Sequence, residues 1–452
     1  MMAKTKNSLN HDLQDEKMNR ITENKSSKSA NAENPASDKW EIPSDWKVMQ
    51  LGQLGTFSKG KGILKEQVIK EGFPCIRYGE IYTRHDFIIK DFKSFISENL
   101  AEESKEIKNG DILFAGSGET VEEIGKAVAY IKDEKAYAGG DIIILSTKKE
   151  TNVSCLSYIL ETDFVKKQKR VLGQGNSVVH IYSSDLSKIK IPLPPLPEQT
   201  AIAQLLSTWD NAITNTQALI AQKEQRKKWL MQKLLTGKMR LKGFSSEWKK
   251  IRIEDVLINY QNGYAFSSAD YFEKGIPIIT MAQIGLDGTF QYDNSKVNYW
   301  REDNVSNLEN FLLKKGDLII AMTDVTPTKN LIGRMAIINI DGPFLLNQRV
   351  GFLRIDTSKV NPTILAAISG MKYWRDYSRS HATLGVQANL GTSDIKNAIV
   401  KLPSIEEQNA IAKVLQAADK EIQLLKTKCD KLKEQKKGLM QVLLTGKKRL
   451  II

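Results

Sequence analysis

Groups able to do covalent chemistry are few in this chain, and their spacing fits none of the familiar catalytic sites. The string GSGETVEEIGKA over 116–127 has glycines and a Gly-Lys pair. The spacing from Gly118 to Gly125 and Lys126 is wrong for a phosphate-binding loop, and Ala127 stands where a magnesium-holding hydroxyl is required. Neither GQGNS from Gly173 nor GKG from Gly60 completes a dinucleotide fingerprint, so both read as glycine turns. His11, His85, His180 and His381 are scattered, and Cys75, Cys155 and Cys429 lack zinc-ligand spacing, which leaves the cysteines as reduced core residues. An NTPase, a nicotinamide enzyme and a metal site are set aside on these grounds.

The remaining side chains suit recognition better than turnover. Lysine and arginine exceed aspartate and glutamate by 66 − 53 = 13, the electrostatic footprint of a phosphate-bearing partner. In the first half the candidates are Lys59 and Lys61 in SKGKG, and Arg77, Tyr78, Tyr82, Thr83 and Arg84 in RYGEIYTRH. They continue with Ser117 and Thr120 in GSGET, and Asn176, Ser177 and His180 in GQGNSVVHIY. The corresponding loops of the second half offer Gln261, Asn262 and Tyr264, then Thr280 and Gln283, then Thr323, Thr326 and Lys329. Gln348 and Arg349, and finally Gln387 and Asn389, complete the set. Guanidinium and amide groups match base edges, and lysines and hydroxyls match phosphates. Each has a competing role as a loop cap or strand end within its own domain.

A repeat must position these loops. LPPLPEQTAIAQLLSTWDNAI from Leu193 returns as LPSIEEQNAIAKVLQAADKEI from Leu402, at an offset of 407 − 198 = 209. LMQKLLTGKMRL from Leu230 returns as LMQVLLTGKKRL from Leu439 in the same register. In the second copy Ile411, Leu415, Ala418, Ile422, Leu425, Cys429, Leu432, Lys436, Leu439 and Leu443 alternate steps of four and three, the seam of a coiled coil. The first copy aligns Ile202, Leu206, Trp209, Ile213, Thr216, Ile220, Lys223, Lys227, Leu230 and Leu234. A helix over 198–236 would be about 58 Å long. Prolines and Glu198 or Glu407 open each helix, and Gly237 or Gly446 closes it.

The organisation expected is a polar tail at 1–38, a domain at 39–191, a helix at 192–241, a second domain at 242–400 and a second helix at 401–452. Strand-like runs at 111–115, 141–145, 317–321 and 349–355, with a helical patch at 156–169, make each domain mixed α/β. Paired strings such as NGDILFA and KGDLIIA, or FPCIRYGEI and IPIITMAQI, indicate one scaffold under two unlike sets of loops. No run approaches the roughly 18 apolar residues of a membrane span, and a cytoplasmic location is expected.

The PLPPLPEQ start, the LLTGK exit, the following GFSSEWK, the duplication, and the strings GSGETVEEIGKA and AYAGGDIIIL together resemble the specificity subunit of type I restriction-modification systems. The resemblance implies two mixed α/β target recognition domains separated by a long antiparallel coiled coil of two helices, with a pseudo-twofold internal repeat. It implies a bipartite, asymmetric double-stranded DNA target read one half-site per domain, two modification subunits docked on the helices, and restriction subunits outside them. Gln199, Gln204, Lys228, Gln232, Gln408, Lys413, Lys437 and Gln441 are the candidate docking residues on the outer helix faces. No Asn or Asp followed by Pro-Pro and an aromatic occurs, so the chain itself is expected to be non-catalytic. S-adenosylmethionine, ATP and Mg2+ would belong to the partner subunits, with no cofactor or metal in this chain. The alternative is a coiled-coil scaffold with non-specific nucleic-acid binding.

Overall fold

The computed structural model describes residues 42–175, 178–302, 305–383 and 387–450. The tail at 1–38, with Asn176 and Ser177, lies outside them. Described residues up to Ala203 join those from Met440 onward in one compact unit, and Gln204–Leu439 forms the other. The division cuts across both long helices, whereas the sequence suggested one domain followed by one helix. The first unit holds the start of one helix and the end of the other.

The long helices are Leu196–Leu234 and Ile405–Leu443, each of 39 residues. The first begins two residues before Glu198, because Pro197 falls in the opening turn, where a backbone N–H has no intrahelical acceptor to miss. Gly237 and Gly446 take φ of 69° and 72°, the left-handed conformation that ends a helix without a Cβ clash. The heptad seam is realised. Ile411, Leu415, Ile422, Cys429 and Leu443 are buried, and Leu425, Leu432 and Leu439 are half-buried.

Within Gln204–Leu439 the two helices run antiparallel, as their ion pairs require. Lys436 Nζ meets Asp210 Oδ1 at 2.6 Å, Lys426 meets Glu224 at 2.7 Å, and Lys227 pairs with Asp419. Lys436 breaks the apolar seam yet is 4% exposed, so its charge is sustained in low dielectric by the Asp210 carboxylate.

Among the described residues each domain carries the same four sheets. In the first, a four-stranded antiparallel sheet orders Gly55–Lys59, Ile142–Thr147, Asp111–Ala115 and Ala127–Tyr130. A mixed sheet orders Ser94–Ile96, Phe73–Ile76, Ala136–Ala138 and Lys105–Ile107. The second domain answers with Leu257–Asn262, Val350–Ile355, Leu318–Ala321 and Met335–Ile337, and with Asn298–Trp300, Ile276–Ile279, Phe344–Leu346 and Leu312–Leu313. Two short pairs complete each set. Lys47–Gln50 joins Lys190–Leu193 and Ser117–Gly118 joins Val179–His180, matched by Lys249–Arg252 with Ile399–Leu402 and Thr323–Asp324 with Ala388–Asn389. The run Ile112 to Ala115 is buried at every residue, as a strand covered on both faces must be. The helical patch at 156–169 is in fact two helices, Val153–Leu160 and Asp163–Leu172.

The repeated Glu-Gln pair ties each domain to helix ends. In the first unit Glu198, 1% exposed, accepts from Trp46 Nε1 at 3.0 Å and from Arg449 at 2.6 and 2.7 Å. In the second unit Glu407 accepts twice from Arg240, both at 2.6 Å, beside Trp248. Gln199 and Gln408 are buried too. Gln199 accepts from the Asn152 N–H and donates to the Pro194 carbonyl, and Gln408 does the same with Asn361 and Pro403. These two glutamines are corrected from outward docking residues to internal ties.

Candidate nucleic-acid interface

One turn gathers the candidate loops of each domain. In the first it is Ala138 to Ile142, between a strand of the mixed sheet and one of the antiparallel sheet. The Gly60 N–H donates to the Ile142 carbonyl at 2.8 Å and Lys61 N–H to Ala138 at 3.1 Å, bringing in SKGKG. Gly139 N–H donates to Ile76 at 2.9 Å, bringing in RYGEIY, and Gly116 N–H to Asp141 at 2.8 Å, bringing in GSGET. Ile181 N–H then donates to Gly116 at 3.0 Å, attaching the segment of His180.

The second domain repeats this scheme bond for bond on Leu346 to Val350. Gly263 donates to Val350 at 3.1 Å, Tyr264 to Leu346 at 2.8 Å, Asn347 to Ile279 at 3.0 Å, Met322 to Arg349 at 3.0 Å and Leu390 to Met322 at 2.8 Å. Glycine is required at the crossing. A Cβ on Gly60 would lie 2.0 Å from the Gly139 carbonyl oxygen, and one on Gly263 would lie 2.0 Å from that of Asn347. The frame is built from backbone, while its side chains differ: Gly139, Gly140 and Asp141 in the first domain, Asn347, Gln348 and Arg349 in the second. Asp141 is a residue that sequence reasoning missed, and no residue shared between AGGDI and LNQRV could have signalled it.

Around the first turn the loops interlock. Tyr82 Oη donates to the Ser117 carbonyl at 3.0 Å, and Ser117 Oγ lies 3.0 Å from His180 Nδ1, joining three candidates from distant segments. Burial pushes the Tyr82 phenol well above its ordinary value, so it stays a neutral donor. Tyr78, Thr83, Arg84, Lys59, Lys61 and Thr120 are exposed, Arg77 is half-buried and Ser117 is buried. Thr83 spends its hydroxyl on the Gly79 carbonyl. The GSGET loop is anchored from inside. Lys169, 2% exposed, donates to Gly125 O at 2.8 Å and to Glu161 Oε1 at 3.1 Å, and Glu161 also receives the Ala127 N–H at 3.0 Å. Burial lowers the Lys169 pKa while Glu161 opposes that shift.

In the second domain Gln261, Asn262, Tyr264, Gln348 and Arg349 surround the turn with Thr323 and Asn389, which face each other across a short strand pair as Ser117 and His180 do. Gln387 Nε2 donates to Asn389 Oδ1 at 3.2 Å. Thr280 and Gln283 are corrected to a scaffold role. Gln283 is 3% exposed, and its Oε1 accepts the Thr280 N–H at 2.9 Å, as Glu80 accepts that of Arg77. Thr323 is buried, with its hydroxyl on Met281 Sδ, and is likewise withdrawn from the surface.

The loop bearing Thr326 and Lys329 is held by charge. Asp324 accepts the Thr326 and Leu331 N–H groups, both at 2.7 Å; burial pushes its carboxyl up, but these bonds outweigh it and hold it below 3.8. Arg375 donates to the Ile332 and Lys329 carbonyls and Arg379 to Asn330. Burial, then Arg334 and Arg379, push Arg375 down to about 10. In the first domain Lys166, the equivalent of Arg375 (375 − 209 = 166), meets Glu161 at 3.3 Å and Lys169 meets it at 3.1 Å, but 209 residues on, 370 − 161 = 209, stands Gly370. The second loop is therefore the more positive, and suits a polyanion.

The type I restriction modification DNA specificity domain, as a family model, matches residues 43–225 and 245–434. The chain is 26% identical over 425 residues to the type I restriction enzyme MjaVIII specificity subunit of Methanocaldococcus jannaschii, covering 90% of this chain and 94% of that one. It is 23% identical over 395 residues to the EcoKI specificity subunit of Escherichia coli, covering 82% of each. Among solved structures it is similar to the S subunit of a type I restriction-modification system from M. genitalium, with a TM-score of 0.56 at 17% identity over 91% of this chain and 98% of that one. A chain from a structural study of complex assembly and conformational transition in a type I system gives 0.54 at 18% identity, covering 90% and 98%. These two likenesses carry the fold.

Proposed function

The chain belongs to the type I restriction-modification DNA specificity family, and from that premise we propose that it reads a bipartite, asymmetric DNA site, one half-site per domain. It docks two modification subunits and, through them, restriction subunits. Catalysis belongs to those partners, and so do S-adenosylmethionine, ATP and Mg2+. The observation that supports this most is the shared turn: one backbone frame in both domains carries Gly-Gly-Asp in one and Asn-Gln-Arg in the other. Base edges are distinguished by side-chain donors and acceptors, so unlike side chains on like frames read unlike half-sites. Reading at a cytoplasmic genome fits the basic surplus.

The test is co-expression with the modification subunit of its own system, followed by sequencing for methylated adenines. An asymmetric split motif is expected, lost when this chain is deleted. Arg349→Asp is expected to change one half-site and leave the other intact, with a loss of about 5- to 150-fold at the affected position. Methylation that persists without this chain would overturn the reading.

A further inference from the structure

Among the departures from the internal repeat on the helix pair, one leaves a cavity. Ala418 and Trp209 are equivalent, 418 − 209 = 209, and so are Gly438 and Trp229, 438 − 229 = 209. Where Ala418 replaces the indole, a cavity of about 200 Å³ opens between Arg226, Leu230, Val414, Ala417, Ala418 and Glu421. With the seam residues as a and d, Arg226, Val414 and Glu421 are g positions and Ala417, Trp229 and Leu424 are c positions, all on one flank of the pair. Trp229 is 48% exposed and Leu424 61% exposed on that flank. Their equivalents are Gly438 and Asn215, so the apolar surface exists once and not twice. The opposite flank is ionic, with Asp210, Glu224, Asp419 and Lys426 at e positions engaged across the seam.

The charge at the cavity selects the occupant. Lys223 and Lys227 are matched by Glu421 and Asp419, while among the described residues no carboxylate pairs with Arg226, an exposed residue on the rim. We propose that this flank receives a helix of one modification subunit, which inserts a large apolar side chain into the cavity and sets a carboxylate beside Arg226. The second modification subunit meets the repeat-related end of the same flank, where Trp209 occupies the equivalent place, and is held differently. The proposal rests on the docking of modification subunits advanced above and adds that the two copies are inequivalent. Aromatic anchors next to a cavity are where interface energy concentrates.

Native mass spectrometry of this chain titrated with its modification subunit reads the two binding steps separately. Trp229→Ala, at an exposed position, and Ala418→Trp, which installs the residue found at the repeat-related place, are each expected to weaken one step by about thirtyfold, the loss of a hot-spot anchor, and to spare the other. Arg226→Glu is expected to weaken the same step. Circular dichroism reports whether the helix pair persists in each variant, and Gly438→Ala is the control that leaves both steps unchanged. Wild-type affinity at both steps in Trp229→Ala and Ala418→Trp, or equal weakening of both, would overturn the inference. A wild-type chain that takes up no modification subunit would overturn the functional reading, and this inference with it.

Discussion

Replacing Lys169 by methionine tests how the first domain holds its GSGET loop. Methionine keeps the stem that packs on Gly125 but removes the ammonium, and with it the bonds to Gly125 O at 2.8 Å and Glu161 at 3.1 Å. Breaking a buried ion pair from one side costs about 3–5 kcal/mol. The lower end applies here, since Glu161 keeps Lys166 at 3.3 Å and the Ala127 N–H at 3.0 Å. A cost of about 3 kcal/mol corresponds to a rise of about 150-fold in the opening equilibrium of 116–127. Hydrogen exchange at the Ala127 amide reads that opening directly and avoids treating a two-unit protein as two-state. The second domain's exchange should not move, and methylation should lose fidelity at one half-site only. Adding Glu161→Gln should recover part of the loss, because the carboxylate left with fewer cations is then neutral. Exchange at Ala127 within twofold of wild type, or strictly additive costs for the two substitutions, would refute the anchoring argument.

Asp324 has a folded pKa below its ordinary 3.8, so the unfolded chain takes up the proton first. The stability it lends is complete above 3.8 and is lost as pH falls through the lower folded value, and protection of the Thr326 and Leu331 amides should fall in that acid window. Gly237→Ala should cost about 1–2 kcal/mol from the left-handed φ alone. Gly446→Ala should cost more, because its Cβ would lie 2.3 Å from the Pro43 ring, against 3.5 Å to Trp248 at Gly237; equal shifts on thermal denaturation would contradict this. Lys436→Leu combined with Asp210→Ala should be neutral or stabilising by up to about 4 kcal/mol, since an apolar seam replaces a desolvated pair, and a lower melting temperature would contradict it.

The helix pair was legible because its periodicity spans ten seam positions and its capping glycines have one conformational purpose. Lys436, the one charged position in the second helix's seam, is met by Asp210 opposite. The strands at 111–115 and 350–355 were legible from their apolar runs. The gathering turn was not, because its bonds are carried by the backbone and Gly139-Gly140-Asp141 shares no residue type with Asn347-Gln348-Arg349. Gln199 and Gln408 misled because a polar residue near a helix start reads as solvated. Only tertiary structure brings the Asn152 and Asn361 N–H groups against them. Gln283 misled in the same way, its amide being committed to the Thr280 backbone.

Because four main-chain hydrogen bonds from neighbouring segments hold each turn, the exposed side chains on it can change without loss of the frame; buried Asn347, whose Oδ1 accepts the Arg349 N–H, is the position that stays tied. Gene variants can wander through amides, carboxylates and guanidinia at 139–141 or 348–349 while the strands stay in register. New preferences can thus arise in one half of the molecule by point change or exchange of segments, with the other half inherited untouched.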